Sequence, residues 1–367
     1  MQTNERVGNK IIGLHGSYHR HNFGDILLMA LYTKAIKAYV PNSQVSLPFA
    51  TEETRKIIGA DLNGVNTLLN ANSLVYGGGG YFGEPSHNKL RWGYRNIIRH
   101  VPPAKIISSK RKEYAIIGVG VGPISNRLAR NMLIGVCHKA SVLAVRDEES
   151  KSYLIDYGID PDKIKVTADV VISLKSDDIP VYALKEAKRI ISNSKRAKKV
   201  AVHIQNFEYP ETIKIVKEEV VEFSKRNDDV EILLLSDGFK IPRASYEINR
   251  ELPQESSIVQ YSDPWIFTAL LGLLDLVVTT KLHVGITSTA LGRPVLSFPV
   301  HSKTPRFFNQ INASDRCIPL TSLKKGQVLE QLNLYIDKTK ESYYPPQKVI
   351  DSSKSNFDLL KMFLNKN

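Results

Sequence analysis

The feature that most constrains this chain is an alternation that runs along most of its length. Short apolar, β-forming runs are separated by stretches whose apolar residues fall at helical spacing. In the first half the strand-like runs are Lys10–His15, Gln44–Pro48, Ser73–Tyr76, Tyr114–Val119, Ser141–Val145 and Lys165–Thr167. The clearest helix between them is Asp25–Val40, with Ile26, Met29, Ala30, Tyr32, Ile36 and Tyr39 near helical spacing and Asp25 suited to its N-cap. Strands separated by helices imply parallel βαβ units. The second half repeats the plan at Lys199–Ile204, Val230–Leu235, Ser257–Tyr261, Leu276–Thr279, Val295–Phe298 and Arg316–Pro319. Each half opens on a basic segment, an apolar strand and a histidine, NKIIGLH and KKVAVHI.

The expected fold class is therefore α/β, with two Rossmann-like, doubly wound parallel-sheet domains facing a cleft. A length of 367 residues suits two domains at ~150 residues each. We divide the chain into an N-terminal domain over 1–175, a linker over 176–198, a C-terminal domain over 199–340, and a tail over 341–367 whose Ser352–Leu364 reads as a helix.

A hydrophobic fraction of 42% is too high for a disordered chain. The two cysteines, Cys137 and Cys317, exclude a disulfide scaffold and a four-thiolate zinc site, and suit a reducing compartment in which both thiols are buried. No signal-peptide pattern opens the sequence. The most apolar stretch, Trp265–Leu274, meets Asp275 far short of the ~20 residues that span a bilayer, so a soluble cytoplasmic protein is expected. The net charge of +13 points to an anionic partner: nucleic acid, an acidic membrane surface or a phosphorylated substrate. Lys and Arg are scattered rather than interleaved with aromatics, which argues against nucleic acid.

Open parallel sheets bind ligands at the carboxyl ends of their strands, so polar residues that follow strands carry the functional reading. Gly13–Asp25 holds a glycine-containing turn that could offer amides to an anion, but its His15, His19 and His21 lack metal-binding spacing, and no metal is expected. Gly77, Gly78, Gly79 and Gly80, with Tyr81 behind them, read either as a loop where backbone approaches a ligand or as a tight turn. The same choice stands for Gly118–Pro123. In Val145–Ser150, Arg146 could grip a carboxylate or phosphate at two points, or form a surface pair, while Asp147 could cap the next helix. Asp160-Pro161-Asp162 reads as a turn. Thr279–Pro299 carries most weight. Lys281 and His283 follow a strand and open a helix of small residues, where N–H groups favour an anion and an imidazole can move protons near neutral pH. Lys303 and Arg306 add cations after the next strand.

Over about Ile11–Leu320 this ordered series resembles the polysaccharide pyruvyl transferase family. The matching landmarks are Asn22, Gly24 and Asp25; Gly77–Gly80; Gly118–Pro123; Arg146, Asp147 and Ser150; Asp169; Lys281 and His283 with the small-residue helix, Gly292 and Pro294; and Lys303. The resemblance implies a GT-B-like fold. It implies transfer of the pyruvyl group of phosphoenolpyruvate to a sugar of a capsule or exopolysaccharide precursor, usually as a ketal, with release of phosphate and no further cofactor. His283 would be the general acid/base. Arg146, Lys281 and Lys303, with the adjoining Leu282 and Gly285, would bind the donor. Asn22, Asp25, Gly77–Gly80 and Tyr81 would line the acceptor side. One departure is Lys281, where the family commonly has arginine. A nucleotide-sugar glycosyltransferase and a non-catalytic sugar- or phosphate-binding homologue remain the alternatives. The acceptor would be a sugar or a lipid-linked oligosaccharide. The basic groups Lys195, Arg196, Lys198 and Lys199, and Arg91, Arg95, Arg99 and Lys105, would either touch an anionic membrane at its inner face or form a solvated surface.

Overall fold

The computed structural model describes residues 10–18, 22–85, 88–192, 196–205, 209–238, 240–253, 256–299, 302–338 and 342–367. They form two compact units. Asp25–Val170, Asp351–Asn367 and the residues before 22 make the first; Asn22–Gly24 and Val171–Ile350 make the second.

The first unit is an all-parallel sheet. Its strands are β1 (Ile11–His15), β2 (Gln44–Leu47), β3 (Leu62–Asn63), β4 (Ser73–Tyr76), β5 (Gly79–Phe82), β6 (Tyr114–Val121), β7 (Val142–Val145) and β8 (Ile164–Val166). They run in the order β3-β2-β1-β4-β6-β7-β8, with β5 paired to β6. Around them lie α1 (Phe23–Tyr39), α2 (Glu52–Ile58), α3 (Lys89–Ser109), α4 (Arg127–Lys139) and α5 (Glu148–Asp156). All four residues of β4 and all eight of β6 are buried, the mark of strands covered on both faces. Leu74, Tyr76, Ile116 and Val145 pack with Val101 and Ile107 of α3 and Leu133 and Cys137 of α4.

The second unit contains β9 (Lys198–His203), β10 (Val230–Ser236), β11 (Ile258–Gln260), β12 (Leu276–Thr279) and β13 (Val295–Ser297), all parallel, in the order β11-β10-β9-β12-β13. Its helices are α6 (Val181–Ile191), α7 (Pro210–Arg226), α8 (Arg243–Glu251), α9 (Pro264–Gly272), α10 (Leu282–Ala290), α11 (Lys303–Gln310) and α12 (Gln327–Ile336). Each sheet reverses its strand order once, at β1/β4 and at β9/β12, and such a reversal opens a crevice at the carboxyl ends of the strands.

The terminal helix α13 (Gln347–Lys366) returns Asp351–Asn367 to the first unit. Its buried Asn356 donates to the Ala168 carbonyl at 2.8 Å and accepts from the Thr167 hydroxyl at 2.8 Å. Ser353 donates to the Asp169 carbonyl at 2.7 Å.

Three local expectations are corrected. No strand covers Arg316–Pro319; Ser314–Arg316 form a 3₁₀ turn, and only an isolated bridge joins Cys317 to Ser297. Pro319 has no amide to give a ladder. Helix α1 starts at Phe23 rather than Asp25: Asn22 Oδ1 accepts from the Gly24 amide at 3.1 Å, and Asp25 sits in the first turn, where an acid favours the positive helix end. Gly79 and Gly80 belong to a strand, β5, not to a loop. Both cysteines are buried and free, and burial pushes both thiols up to about 12. Among the described residues no helix is long and apolar enough to cross a membrane.

Candidate functional site

In the second unit, β9, β10 and β12 end side by side and bring four polar side chains together. His203 closes β9, Asp237 follows β10, and Thr280 and Lys281 follow β12. His203 Nε2 lies 3.0 Å from Asp237 Oδ1, and the Gln205 side-chain amide donates to the same oxygen at 3.1 Å. Lys281 Nζ lies 3.3 Å from the other oxygen, Oδ2. The backbone holds this arrangement in register: the Thr280 amide donates to the His203 carbonyl at 3.0 Å, and the Gln205 amide donates to Thr280 Oγ1 at 3.0 Å.

Asp237 is 5% exposed. Burial alone would raise its carboxyl, but His203 and Lys281 outweigh that and hold it well below the usual carboxylate range. A carboxylate that stays charged at neutral pH thus meets the ammonium of Lys281, whose side chain is 28% exposed. Lys281 is also the N-cap of α10. The residues that follow it on α10, Val284–Ala290, are all buried, and they are mostly small, so the helix packs closely on β12 and β13. Gly285 is not forced by space, because a Cβ there would meet only ordinary contacts, the nearest being Val295 at 3.7 Å. Leu282 and His283 occupy the first turn.

His283 packs its ring directly against Gly24, at a place where any side chain on residue 24 would fall inside the imidazole. That glycine belongs to the Asn22–Gly24 segment of the second unit. The segment is anchored there by the Phe23 amide, which donates to the Asp237 carbonyl at 3.2 Å, and by the Phe23 ring, 4.7 Å from Phe267 and 5.9 Å from Tyr261. Asn22, Asp237, Lys281 and His283 are thereby gathered in one region. Lys303 opens α11, which follows β13 in the same unit.

Several glycines in the glycine-rich segments of the first unit make room for neighbouring groups of the protein itself. A Cβ on Gly77 would strike Met29 and Tyr32 of α1, and one on Gly78 would press on the Gly118 carbonyl at 3.2 Å. Gly79 has φ +127°, open only to glycine at low cost. Tyr81 is buried; its hydroxyl donates to the Gly77 carbonyl at 2.7 Å and its ring stacks on His100 at 4.6 Å. Gly120 leaves room for Arg146, whose Nε would lie 2.7 Å from a Cβ. Arg146 is itself 5% exposed, donates from Nη1 to Asp169 Oδ2 at 2.9 Å and lies 3.7 Å from Asp147 Oδ2. Asp147 caps α5 by accepting from the Ser150 amide at 2.7 Å. Asp25, also in this unit, lies near Gly79. Asp160 caps a 3₁₀ turn, as its turn reading implies. His19 and His21 lie outside the described residues.

Sequence reasoning missed Asp237 and gave His203 no chemical role. The only signal was position: each directly ends or follows an apolar strand, in KKVAVH and ILLLSD.

The fold has close counterparts among solved structures. UDP-GlcNAc 2-epimerase from Neisseria meningitidis bound to UDP-GlcNAc is 13% identical, with a TM-score of 0.65 over 98% of this chain and 100% of that one. A putative UDP-N-acetylglucosamine 2-epimerase from Listeria monocytogenes is 14% identical, with a TM-score of 0.64 over 98% and 97%. UDP-GlcNAc 2-epimerase from Methanocaldococcus jannaschii, in complex with UDP-GlcNAc and UDP, is 13% identical, with a TM-score of 0.59 over 97% and 100%. At these identities the likeness is one of fold, the GT-B fold with its two Rossmann-like domains. No curated protein sequence matches the chain significantly. Residues 22–302, from the Asn22–Gly24 segment through β13, match the model of the polysaccharide pyruvyl transferases, and the chain belongs to the polysaccharide pyruvyl transferase family.

Proposed function

We propose that this transferase moves the pyruvyl group of phosphoenolpyruvate onto a sugar of a surface-polysaccharide precursor, forming a ketal and releasing inorganic phosphate. Membership of the family supports pyruvyl transfer to polysaccharide in general. The observation that carries the finer reading is the Asp237-held Lys281 beside His283 at the start of α10. Phosphoenolpyruvate is a small polyanion, and a lysine at a helix N-terminus is a fitting place for its carboxylate or phosphate. Lys303 supplies a second cation.

The chemistry assigns His283 its part. A proton goes to the methylene carbon of the enol, turning it into a methyl group and leaving C2 electrophilic. One sugar hydroxyl bonds to C2 and loses its proton, and the C2–O bond to phosphate breaks. A second hydroxyl then closes the ketal and loses its own proton. Two hydroxyls and the donor become one ketal and one phosphate. His283 is the group that carries these protons, and such a group contributes ~10²–10⁴-fold. Arg146, whose charge is met by Asp169 and Asp147, is left out of the donor set; we assign it to bracing the end of β6. Gly77–Gly79 and Tyr81 are assigned to packing in the same way.

The test incubates the protein with phosphoenolpyruvate, and separately with UDP-sugars, in the presence of a pool of saccharide acceptors. Phosphate release with a new ketal methyl signal in the product supports the proposal. UDP release would move the chain to glycosyl transfer, and release of neither would make it a binding protein.

A further inference from the structure

Helix α3 carries a face that the fold leaves uncovered. Leu90, Tyr94 and Ile98 are 76%, 71% and 59% exposed. They recur every fourth residue, and at about 100° per residue they form one slowly turning ridge. Arg91, Arg95 and Arg99 follow each of them by one position, so a row of cations runs directly beside the apolar ridge. The opposite side of the helix is buried through Gly93, Asn96 and His100. Arg91 and Arg95 make no ion pair among the described residues and are exposed. Next to α3, α4 approaches closely at Gly93, where a Cβ would lie 3.3 Å from that of Ala129. There the neighbouring Leu128 is 61% exposed, beside the exposed Arg127.

The other basic run is spent on structure. Lys195 lies outside the described residues, and Arg196 donates to the Val230 carbonyl. Lys198 pairs with Asp229 and Asp337, and Lys199 is buried next to Glu231. Those cations hold β9 in its sheet.

We infer that the amino-terminal half of α3 docks the protein on an anionic lipid surface, with Leu90, Tyr94 and Ile98 entering the headgroup layer and Arg91 and Arg95 meeting lipid phosphates. The argument is charge complementarity. An apolar ridge flanked by arginines is the pattern of an interfacial helix. A second copy of this chain is a poor occupant, because it would bring an identical arginine row and a net charge of +13 to the same contact. An anionic bilayer satisfies both rows. The inference is independent of the donor chemistry, since none of these residues belongs to the proposed site.

The full chain is tested by co-sedimentation with phosphatidylcholine vesicles with and without phosphatidylglycerol, at low and high salt. Binding to the anionic vesicles that fades with salt is expected. Arg91→Gln with Arg95→Gln removes two charges and should lower the partition roughly 30-fold. Leu90→Ser with Ile98→Ser should lower it at unchanged charge. All four positions are solvent-exposed, and an unchanged melting temperature checks that the variants fold. Equal partition onto neutral and anionic vesicles, or variants that bind like the parent, overturns the inference. So does light scattering in which these substitutions dissociate a dimer while vesicle binding stays the same, which would give the face to a second copy.

Discussion

The carboxyl ends of the two sheets are built from opposite materials. In the first unit, glycines follow β4 and line the end of β6, and the space those glycines open is filled from within by Met29, Tyr32, Tyr81 and the guanidinium of Arg146. In the second, β9, β10 and β12 end in His203, Asp237, Thr280 and Lys281, and the space is lined with charge. Both ends follow the same parallel-sheet rule for where ligands bind. The difference teaches that a glycine run after a strand is ambiguous: it admits a ligand or the protein's own side chains. A buried carboxylate that fixes a partly exposed lysine is harder to explain by packing, because it costs desolvation that an apolar pair would not.

The largest expected effect tests the chemical side of this contrast. His283→Ala should lower turnover ~10²–10⁴-fold, with a modest change in donor affinity. Steady-state rates and equilibrium binding of phosphoenolpyruvate separate the two. Turnover near that of the parent would remove His283 from proton transfer and erase the contrast.

The structural side is tested at Asp169. Its carboxylate lies 2.9 Å from the buried Arg146, closer than that of Asp147 at 3.7 Å, and Asp169→Ala removes it. Loss of one partner of a buried pair costs about 3–5 kcal/mol. Urea unfolding should show it, with donor affinity little changed in the folded fraction. A stable variant that no longer binds donor would return Arg146 to the binding site.

Asp237 joins the two kinds of argument. Its folded carboxyl is held below the ordinary value, so its contribution is complete above the unfolded value, about 3.9, and is lost as pH falls through the folded one. Asp237→Asn should therefore cost about 1–3 kcal/mol at neutral pH. That cost should shrink as pH falls below about 4. Parallel denaturation curves across acid pH measure it. A stability difference that does not vary with pH would mean that Asp237 acts by packing and not by charge.

Much of this fold is legible in the sequence. Ser73–Tyr76 and Leu276–Thr279 stand out as strands because three and four apolar or β-branched residues, respectively, run together between polar or turn residues. Two elements give no such signal. Leu62–Asn63 is too short for any period, and Gly79–Phe82 opens with glycines that argue against a strand. Lys281 and His283 are legible as a site because they follow a strand directly. Their neighbours are less so. Asp237 is 44 positions before Lys281 and meets it only because β10 and β12 flank β9 in the sheet. Arg146 shows the reverse failure: its position at a strand end suggests a ligand, while Asp169, 23 residues on, already occupies it.

The smallest expected effect bears on the departure at residue 281. The family commonly carries arginine here. A guanidinium pairs a carboxylate at two points where an ammonium acts as a point charge. In the second unit Lys281 already lies 3.3 Å from Asp237, and its side chain keeps 28% of its surface exposed, so the longer guanidinium has room to hold Asp237 and reach outward. If the donor is phosphoenolpyruvate, Lys281→Arg should keep or improve its affinity by roughly 2–12-fold, the worth of one net hydrogen bond. Titration calorimetry with phosphoenolpyruvate measures this directly, and Asp237→Asn in the same background shows whether the carboxylate competes with the donor for the guanidinium. If it does, affinity rises further when the charge of Asp237 is removed. A sharp fall in affinity in Lys281→Arg would mean that the lysine is fitted to a different donor, and the charged strand ends of the second unit would need another ligand.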